Sequence, residues 1–395
     1  MNEKIKVLQI LGYTPHFYGS LEEYFILLAK KVQAVEGQYV FLTPKEPLLL
    51  VKKQLQFFGA EVITLNCRYP LDISYYYKLY KLIKNMKINV VHTHFTIVGI
   101  LGCLVACLAS CPVVIRTKHG LTKNVPKRFR AKHYYFKSQM FSSFFVTKII
   151  AVSDAVRNDL IETGIKPEKI ETIKLGINLD KFLNNEDNKV DELRKEFNLD
   201  NDTCVIGTIS NMYPVKTVDV FIKAISLIKE KIQNLKVIIV GEGPCKPELE
   251  ILTKKLNLQD CIIFTGYRND VKNILKIFDI YVLSSRSEAL NFSVLEAMAS
   301  GKSCIAPNVG GLTEIIDNGR NGFLFQPGNF KELSELIVRI FADKELKEKF
   351  EREGLKSLAE KFNINTMVEK TVDLYTKELK FLVKNSSNLK NKNDQ

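Results

Sequence analysis

The chain has 395 residues, 46% of them apolar and 26% charged, which suits two globular domains each burying its own core and excludes a disordered protein. Its eight cysteines form neither a CxxC pair nor a disulfide-like framework; they read as small core thiols of a reducing compartment and leave no metal site expected. Residues 1–182 carry 26 Lys and Arg against 13 Asp and Glu, so the whole net charge of +13 belongs to the first half and favours an anionic partner: phospholipid, lipid-linked phosphate or nucleic acid.

The opening MNEKIKVLQILGYTP has a short apolar run ending in turn residues, and it reads as a first strand rather than a signal peptide. From Ile5 to Thr172, short β-rich runs (KVLQIL, QYVFLT, EVITL, NVVHTH, PVVIRTK, KIIAVS, IETIKL) alternate with amphipathic segments (LEEYFILLAKKV, YYYKLYKLIKNM, DAVRNDLIETG). Such alternation predicts a parallel sheet with helices on both faces and ligands beyond the carboxyl ends of its strands. The longest apolar run, Phe95 to Cys111, is shorter than the roughly 20 residues of a spanning helix and contains Gly99 and Gly102, so it reads as a buried helix.

Three loops after strands draw attention. In GYTPHFYGSLEEY, Gly19 and Ser20 precede a helix that Ser20 can cap, with Glu23 completing a capping box. HTHF ends the fourth strand at His94, and RTKHG places His119 after the fifth. A lone histidine is more often structural, but three of the chain's five stand near strand ends on one side of one sheet. Further on, KNVPKRFRAKHYYFKSQMFSSFFVTK holds seven Lys or Arg and no acid, with many Phe and Tyr. Lys127, Arg128, Arg130 and Lys132 suit a membrane interface, and an ordinary helix with its aromatics in the core is the competing reading.

The polar run Asn184 to Asn188 reads as a linker. The second half restarts with CVIGTISNMYPVKTVDVFIKAI, a strand whose following loop holds Asn211 and Lys216. VIIVGEGP is a strand with a glycine turn at Gly241 and Gly243, and CIIFTGYR ends in Gly266, Tyr267 and Arg268. The organising stretch is SRSEALNFSVLEAMASG, Ser285 to Gly301, a turn and helix after the strand DIYVLSS. Its carboxylates, Glu288 and Glu296, stand eight positions apart. Free amides around Asn291, Phe292, Ser293 and Val294 at the helix start can hold a phosphate, while a carboxylate one turn on accepts from a hydroxyl pair. APNVGGLTEIIDNGRNGFLFQPGN then places Gly310 and Gly311 before a short helix and a tight turn, and the pattern is helical from Phe330.

Together these stretches resemble glycosyltransferase family 4, nucleotide-sugar-dependent enzymes of the GT-B fold, over nearly the full chain to about Phe381. The resemblance implies an α/β chain of two doubly wound Rossmann-like domains facing a central cleft. Residues 1–182 would bind acceptor, 183–202 link, 203–364 bind the nucleotide sugar, 365–383 cross back as a helix, and 384–395 form a tail too polar to pack. It further implies that Glu288 faces the donor sugar, Glu296 the ribose hydroxyls, and the amides from Asn291 to Val294 the diphosphate. Lys216 would meet the diphosphate, and Asn211 stands where the family has arginine. Gly19 and Ser20 replace a glycine pair near the donor phosphate, Gly243 closes over the nucleotide, the main chain at Tyr267 and Arg268 borders the base, and Gly310 and Gly311 are further donor contacts. His119 matches the histidine at the reacting sugar, with His94 on the acceptor side. Ala289 replaces a usual glycine.

The implied activity is retaining, metal-independent sugar transfer from a UDP- or GDP-linked donor to a hydroxyl acceptor, a lipid-linked or anionic glycan of cell-surface polysaccharide synthesis. The donor is a co-substrate, and no other cofactor is expected. The protein would be cytoplasmic, peripheral on the inner membrane face. Two alternatives stay open: a sugar-nucleotide epimerase on the same fold, and an inactive partner protein binding membrane or nucleic acid, which Asn211 and Ala289 allow although no recognised nucleic-acid motif occurs.

Overall fold

The computed structural model describes residues 4–69, 71–95, 97–122, 140, 141, 143–183 and 187–393, with only the backbone course for 187, 188 and 383–393. Chain contacts divide it into two compact units, Met1–Gly176 with Ile364–Gln395, and Ile177–Asn363.

The first unit alternates strand and helix: β1 (Lys6–Leu11), α1 (Ser20–Ala34), β2 (Gln38–Thr43), α2 (Leu49–Phe57), β3 (Glu61–Thr64), α3 (Ile73–Asn85), β4 (Val90–His94), α4 (Ile97–Leu108), β5 (Val113–Lys118), β6 (Lys148–Ala151), α5 (Asp154–Glu162) and β7 (Ile170–Thr172). Every strand pair is parallel, in the order β3-β2-β1-β4-β5-β6-β7. All residues of β4 and β5 are buried, as expected of strands covered on both faces. The order reverses between β1 and β4, and loops leaving neighbouring carboxyl ends there diverge to opposite faces, opening a crevice. α2 was not legible as a helix; of its nine residues only Val51 and Leu55 are buried. The apolar run after β4 forms α4 as expected, and no helix among the described residues is long and apolar enough to cross a membrane. The cationic segment with Lys127, Arg128, Arg130 and Lys132 lies outside the described residues.

The second unit comprises α6 (Leu179–Leu183), α7 (Asp187–Glu196), β8 (Cys204–Ile209), α8 (Val218–Ser226), β9 (Leu235–Val240), α9 (Lys246–Lys255), β10 (Ile262–Gly266), α10 (Val271–Lys276), β11 (Ile280–Val282), α11 (Phe292–Ala299), β12 (Ser303–Pro307), α12 (Leu312–Ile315), β13 (Phe323–Phe325), α13 (Phe330–Ala342) and α14 (Lys344–Lys361). Its parallel sheet runs β10-β9-β8-β11-β12-β13, with the reversal between β8 and β11. The final helix, α15 (Ile364–Asn393), belongs to the first unit.

The structure redraws the expected boundaries. The chain enters the second unit at Ile177, whose N–H donates to the Phe362 carbonyl at 2.7 Å, rather than after residue 182. The expected linker 183–202 contains α7, because Val190, Leu193 and Phe197 recur at helical spacing; Leu193 and Phe197 are buried. α15 continues to Asn393, through the polar stretch expected to be an unpacked tail.

Candidate functional site

In the second unit, the loops after β8 and β11 leave the sheet at its reversal point and are laced together. The Arg286 amide donates to the Val215 carbonyl at 2.8 Å, the Ser284 hydroxyl to the Lys216 carbonyl at 3.0 Å, and the Thr217 hydroxyl to the Ser284 carbonyl. Thr217 pays for this path with a left-handed backbone (φ 42°, ψ 47°), a conformation that costs a β-branched residue roughly 1–3 kcal/mol and persists only where the surroundings over-determine it. The consequence is the placement of Lys216: its Nζ lies 2.6 Å from Oε1 of Glu288, whose side chain is 9% exposed. Two residues far apart in sequence thus form one ion pair beside the start of α11.

Asn291 caps that helix. Its Oδ1 accepts from the Val294 amide at 3.1 Å and from the Ser293 hydroxyl at 2.6 Å. The buried Tyr281 hydroxyl donates to Ser293 Oγ at 2.7 Å, and burial pushes its pKa up, so it remains a neutral donor. The cap therefore occupies the Val294 amide, and Glu296 stands half-buried one turn further on.

In the first unit, β4 carries His92 and His94, His119 directly follows β5, and β1 brings Gln9 beside them. His94 Nδ1 lies 2.9 Å from His119 Nε2, and its Nε2 contacts the Gln9 side-chain amide. In that amide orientation Gln9 donates to His94, His94 donates through Nδ1 to His119, and the His119 proton stays on Nδ1. Phe95 stacks on His119 with centroids 4.2 Å apart and an angle of 14°, and packs edge-on against Tyr13. The Tyr13 hydroxyl donates to Glu22 at 3.0 Å, and the other Glu22 oxygen accepts from the Gly19 amide at 3.0 Å. His92 is buried between Tyr375 (2.6 Å) of α15 and Thr117 (2.7 Å), which marks it as structural. Burial, aided by the nearby His119, lowers the His92 pKa to about 3. Burial with the Lys118 and Arg116 charges takes His119 to about 3, and burial beside two other imidazoles holds His94 well below its ordinary value. All three rings are neutral donors and acceptors at neutral pH.

Comparison with known proteins fits both halves. Residues 21–181 match the model of glycosyltransferase family 4, and residues 189–357 that of glycosyl transferases group 1. An Escherichia coli UDP-Gal:α-D-GlcNAc-diphosphoundecaprenol α-1,3-galactosyltransferase is 32% identical over 322 residues, 80% of this chain and 83% of that one. The chain belongs to the group 1, family 4 glycosyltransferases. A Campylobacter jejuni N,N'-diacetylbacillosaminyl-diphospho-undecaprenol α-1,3-N-acetylgalactosaminyltransferase is 25% identical over 94% of this chain and 99% of its own. Among solved structures, a Rickettsia africae glycosyltransferase superposes with TM-score 0.79 at 25% identity, covering 95% of this chain and 99% of that one. Anabaena HepE with UDP-glucose gives 0.81 at 19% identity, covering 94% and 100%, a likeness of fold. The GT-B fold expected from the sequence is thereby shown.

For this glycosyltransferase, several expected contacts have other occupations in the structure. Ser20 is the first residue of α1 and not its cap: Gly19 is the N-cap, and Glu22 rather than Glu23 reaches back to it, because the helix begins one residue earlier than a Ser20 cap requires. Gly241 and Gly243 are needed for packing. A Cβ on Gly243 would lie 2.6 Å from the Met212 carbonyl oxygen, and one on Gly241 2.2 Å from that of Ser210. The Gly311 amide donates to the Glu288 carbonyl at 3.2 Å, fixing the turn that presents the carboxylate, and Gly310 has φ 50°. Arg268 is held by Glu196 and Asp270, each with a contact of 2.6 Å, while Tyr267 is exposed. Asn211 is exposed, its carbonyl accepting from the Tyr213 amide at 2.8 Å. Sequence reasoning missed Gln9, Tyr13, Glu22, Phe95 and Tyr375. The His-x-His alternation puts both rings on one face of a strand and hinted at the cluster, but nothing local announced Tyr375, which is 283 residues from its partner His92. Among the described residues no group of three or more His, Cys, Asp or Glu lies together as a metal would require.

Proposed function

We propose that the chain transfers a sugar, with retention, from a UDP- or GDP-linked donor to a hydroxyl of a lipid-linked glycan during cell-surface polysaccharide synthesis. The observation that carries this reading is the Lys216–Glu288 pair at 2.6 Å, fixed by a strained loop at the reversal point of the sheet and beside the start of α11. Negative charge develops on the departing diphosphate as the bond from the sugar C1 to phosphate oxygen breaks. Lys216 and the Phe292 and Ser293 amides meet that charge, with no metal ion in the scheme. The acceptor oxygen bonds to C1 on the same face, and its proton passes to the departing phosphate oxygen. In the second unit Glu288 holds sugar hydroxyls and Glu296 accepts from the ribose; in the first unit His119, the neutral end of the Gln9–His94 chain, is the group offered to a sugar hydroxyl. His94 acts behind His119 rather than on the acceptor, since its two ring nitrogens face Gln9 and His119. The undecaprenyl-diphosphate acceptors in the names of two relatives support the acceptor class. The protein then works peripherally at the inner membrane face.

A thermal-shift panel with UDP, GDP, ADP and CMP on wild type and Glu296→Ala tests the donor. Ligand at about 100 times its dissociation constant adds roughly 2.7 kcal/mol to the unit that binds it. One nucleotide should raise the melting temperature of wild type and much less that of the variant. No shift with any nucleotide would sink the proposal.

A further inference from the structure

We propose that the outer face of α3, with the turn leading into it, is the surface by which this chain lies on an anionic lipid bilayer. The proposal gives a location to the membrane contact in the reading above, and it stands on observations separate from the donor site.

The helix is two-faced. Tyr75, Leu79 and Ile83, four residues apart, are buried against the unit. The opposite side presents Ile73, 82% exposed, and Tyr77, 58% exposed, and the turn before it adds Leu71 at 70% and Tyr69 at 57%. These groups are held outward by a built turn. Buried Asp72 caps α3, one oxygen accepting from the Tyr75 amide at 3.3 Å and the other from the backbone and side chain of Arg68 at 3.3 and 3.4 Å, while its own amide donates to the Tyr69 carbonyl at 3.0 Å. Large aliphatic and aromatic groups fixed in water at consecutive outward positions mark an interaction surface.

Charge decides what covers it. Arg68, Lys78, Lys81 and Lys84 surround the apolar groups, and the Lys81 ammonium sits 4.6 Å from the Tyr77 ring centroid. Between Pro47 and Val91 the sequence holds only two acidic residues, Glu61 and Asp72, and Asp72 is buried. A face with Leu and Ile at its tip, Tyr beside them and only cations around matches the layers of a bilayer edge: acyl chains, headgroup level and anionic phosphates. Nucleic acid would satisfy the cations but leave Leu71 and Ile73 without a partner.

Vesicle flotation with the full chain tests this, using phosphatidylcholine alone or mixed with phosphatidylglycerol. Wild type should float with the anionic vesicles at low salt, and Leu71→Glu/Ile73→Glu and Tyr77→Glu should each weaken binding at least tenfold. Lys78→Glu/Lys81→Glu should weaken it by roughly fivefold per lysine or more at low salt and less at high salt. Phe57→Glu, on exposed α2, should leave it unchanged. Unaltered nucleotide-induced melting shifts in these variants would show that the fold and donor site survive. Wild type that stays with the soluble fraction overturns the proposal. So does floating of the α3 variants like wild type, which moves the contact elsewhere in the chain, or a solution dimer broken by Ile73→Glu, which gives the face to a second copy. Failure of every nucleotide to bind would instead strike the transferase reading and leave the flotation result standing.

Discussion

Replacing Lys216 with Met removes one half of an ion pair whose other half is buried. At 2.6 Å the attraction between two unit charges is about 6 kcal/mol at an effective dielectric of about 20, but withdrawing both from water takes back most of it. A hydrogen bond to a charged group nets about 1.5–3 kcal/mol, and the 23% exposure of the Lys216 side chain places this pair toward the lower end. Lys216→Met should therefore destabilise the second unit by about 2–3 kcal/mol, since it strands the Glu288 carboxylate. Glu288→Gln should cost about 1 kcal/mol, because the longer lysine can turn to solvent. In the double variant the losses should fall short of additive by about 2 kcal/mol, which for a unit of this size corresponds to roughly 4–8 °C in melting temperature. The chain has no tryptophan, so urea unfolding is followed by far-ultraviolet circular dichroism and by calorimetry. A coupling below about 0.5 kcal/mol would mean that the pair is a solvent-screened contact, and the physical ground for placing the donor phosphate there would be gone. With coupling confirmed, either single variant should lower turnover by about 10²–10³, the loss typical of one preorganised charge stabiliser.

Three further outcomes follow from the geometry. Because His92 and His119 titrate near 3 in the folded chain and near 6.5 when unfolded, the unfolded state binds more protons between those values; stability is complete above pH 6.5 and falls as pH drops, by up to about 1.4 kcal/mol per pH unit for each ring. Urea midpoints that stay flat from pH 7 to 4.5 would contradict the burial of these imidazoles. Gly243→Ala should cost about 2–3 kcal/mol, since its Cβ meets Met212 carbonyl oxygen, carbon and nitrogen at 2.6–2.7 Å, and a melting temperature within 2 °C of wild type would refute the close approach. Asn291→Ala should cost about 1 kcal/mol by uncapping α11 and should weaken nucleotide binding measured by calorimetry; unchanged binding would separate the cap from the donor site.

The sheets were the most legible part of the chain. β4 and β5 each open on a β-branched apolar run, Val90–Val91 and Val113–Ile115, and a parallel sheet fixes where loops converge, so His94, His119, Lys216 and Glu288 could be placed at carboxyl ends from sequence alone. The partners of those residues were not legible. Gln9 reads as an ordinary strand residue until its register opposite His92 brings it to the imidazoles, and Tyr375 reaches His92 only through the return of α15. Residues 183–202 read as a linker because their polar composition outweighs three apolar residues at helical spacing, and Ser20 reads as a cap because a glycine cap followed by serine looks the same as a serine cap. Gly241 and Gly243 show the limit of motif reading: the same pair serves a phosphate loop or a tight backbone crossing, and the Cβ distances favour the crossing.

The departures from the family pattern bear on how leaving-group charge is met. Ala289 is buried, and the turn keeps its form without the usual glycine because the Gly311 amide holds the Glu288 carbonyl at 3.2 Å. The consequence of Asn211 is larger. With the Val294 amide occupied by the Asn291 side chain and no arginine in the loop, the full positive charge left in the proposed scheme is Lys216, already paired to Glu288. An ammonium has three donors and the carboxylate oxygen at 2.6 Å takes one, so Lys216 can bridge Glu288 and a diphosphate without breaking the pair. Glu288 then lowers the net charge of the site toward zero and makes the attraction for the diphosphate depend on dipoles. A second cation should relieve that dependence. Asn211→Arg, at an exposed loop position five residues before Lys216, should tighten nucleoside diphosphate binding by about five- to tenfold with no loss of stability. A variant that binds nucleotide no better than wild type in calorimetry would show that the Asn211 loop does not face the phosphates, and the division of roles between Lys216 and the helix amides would need to be redrawn.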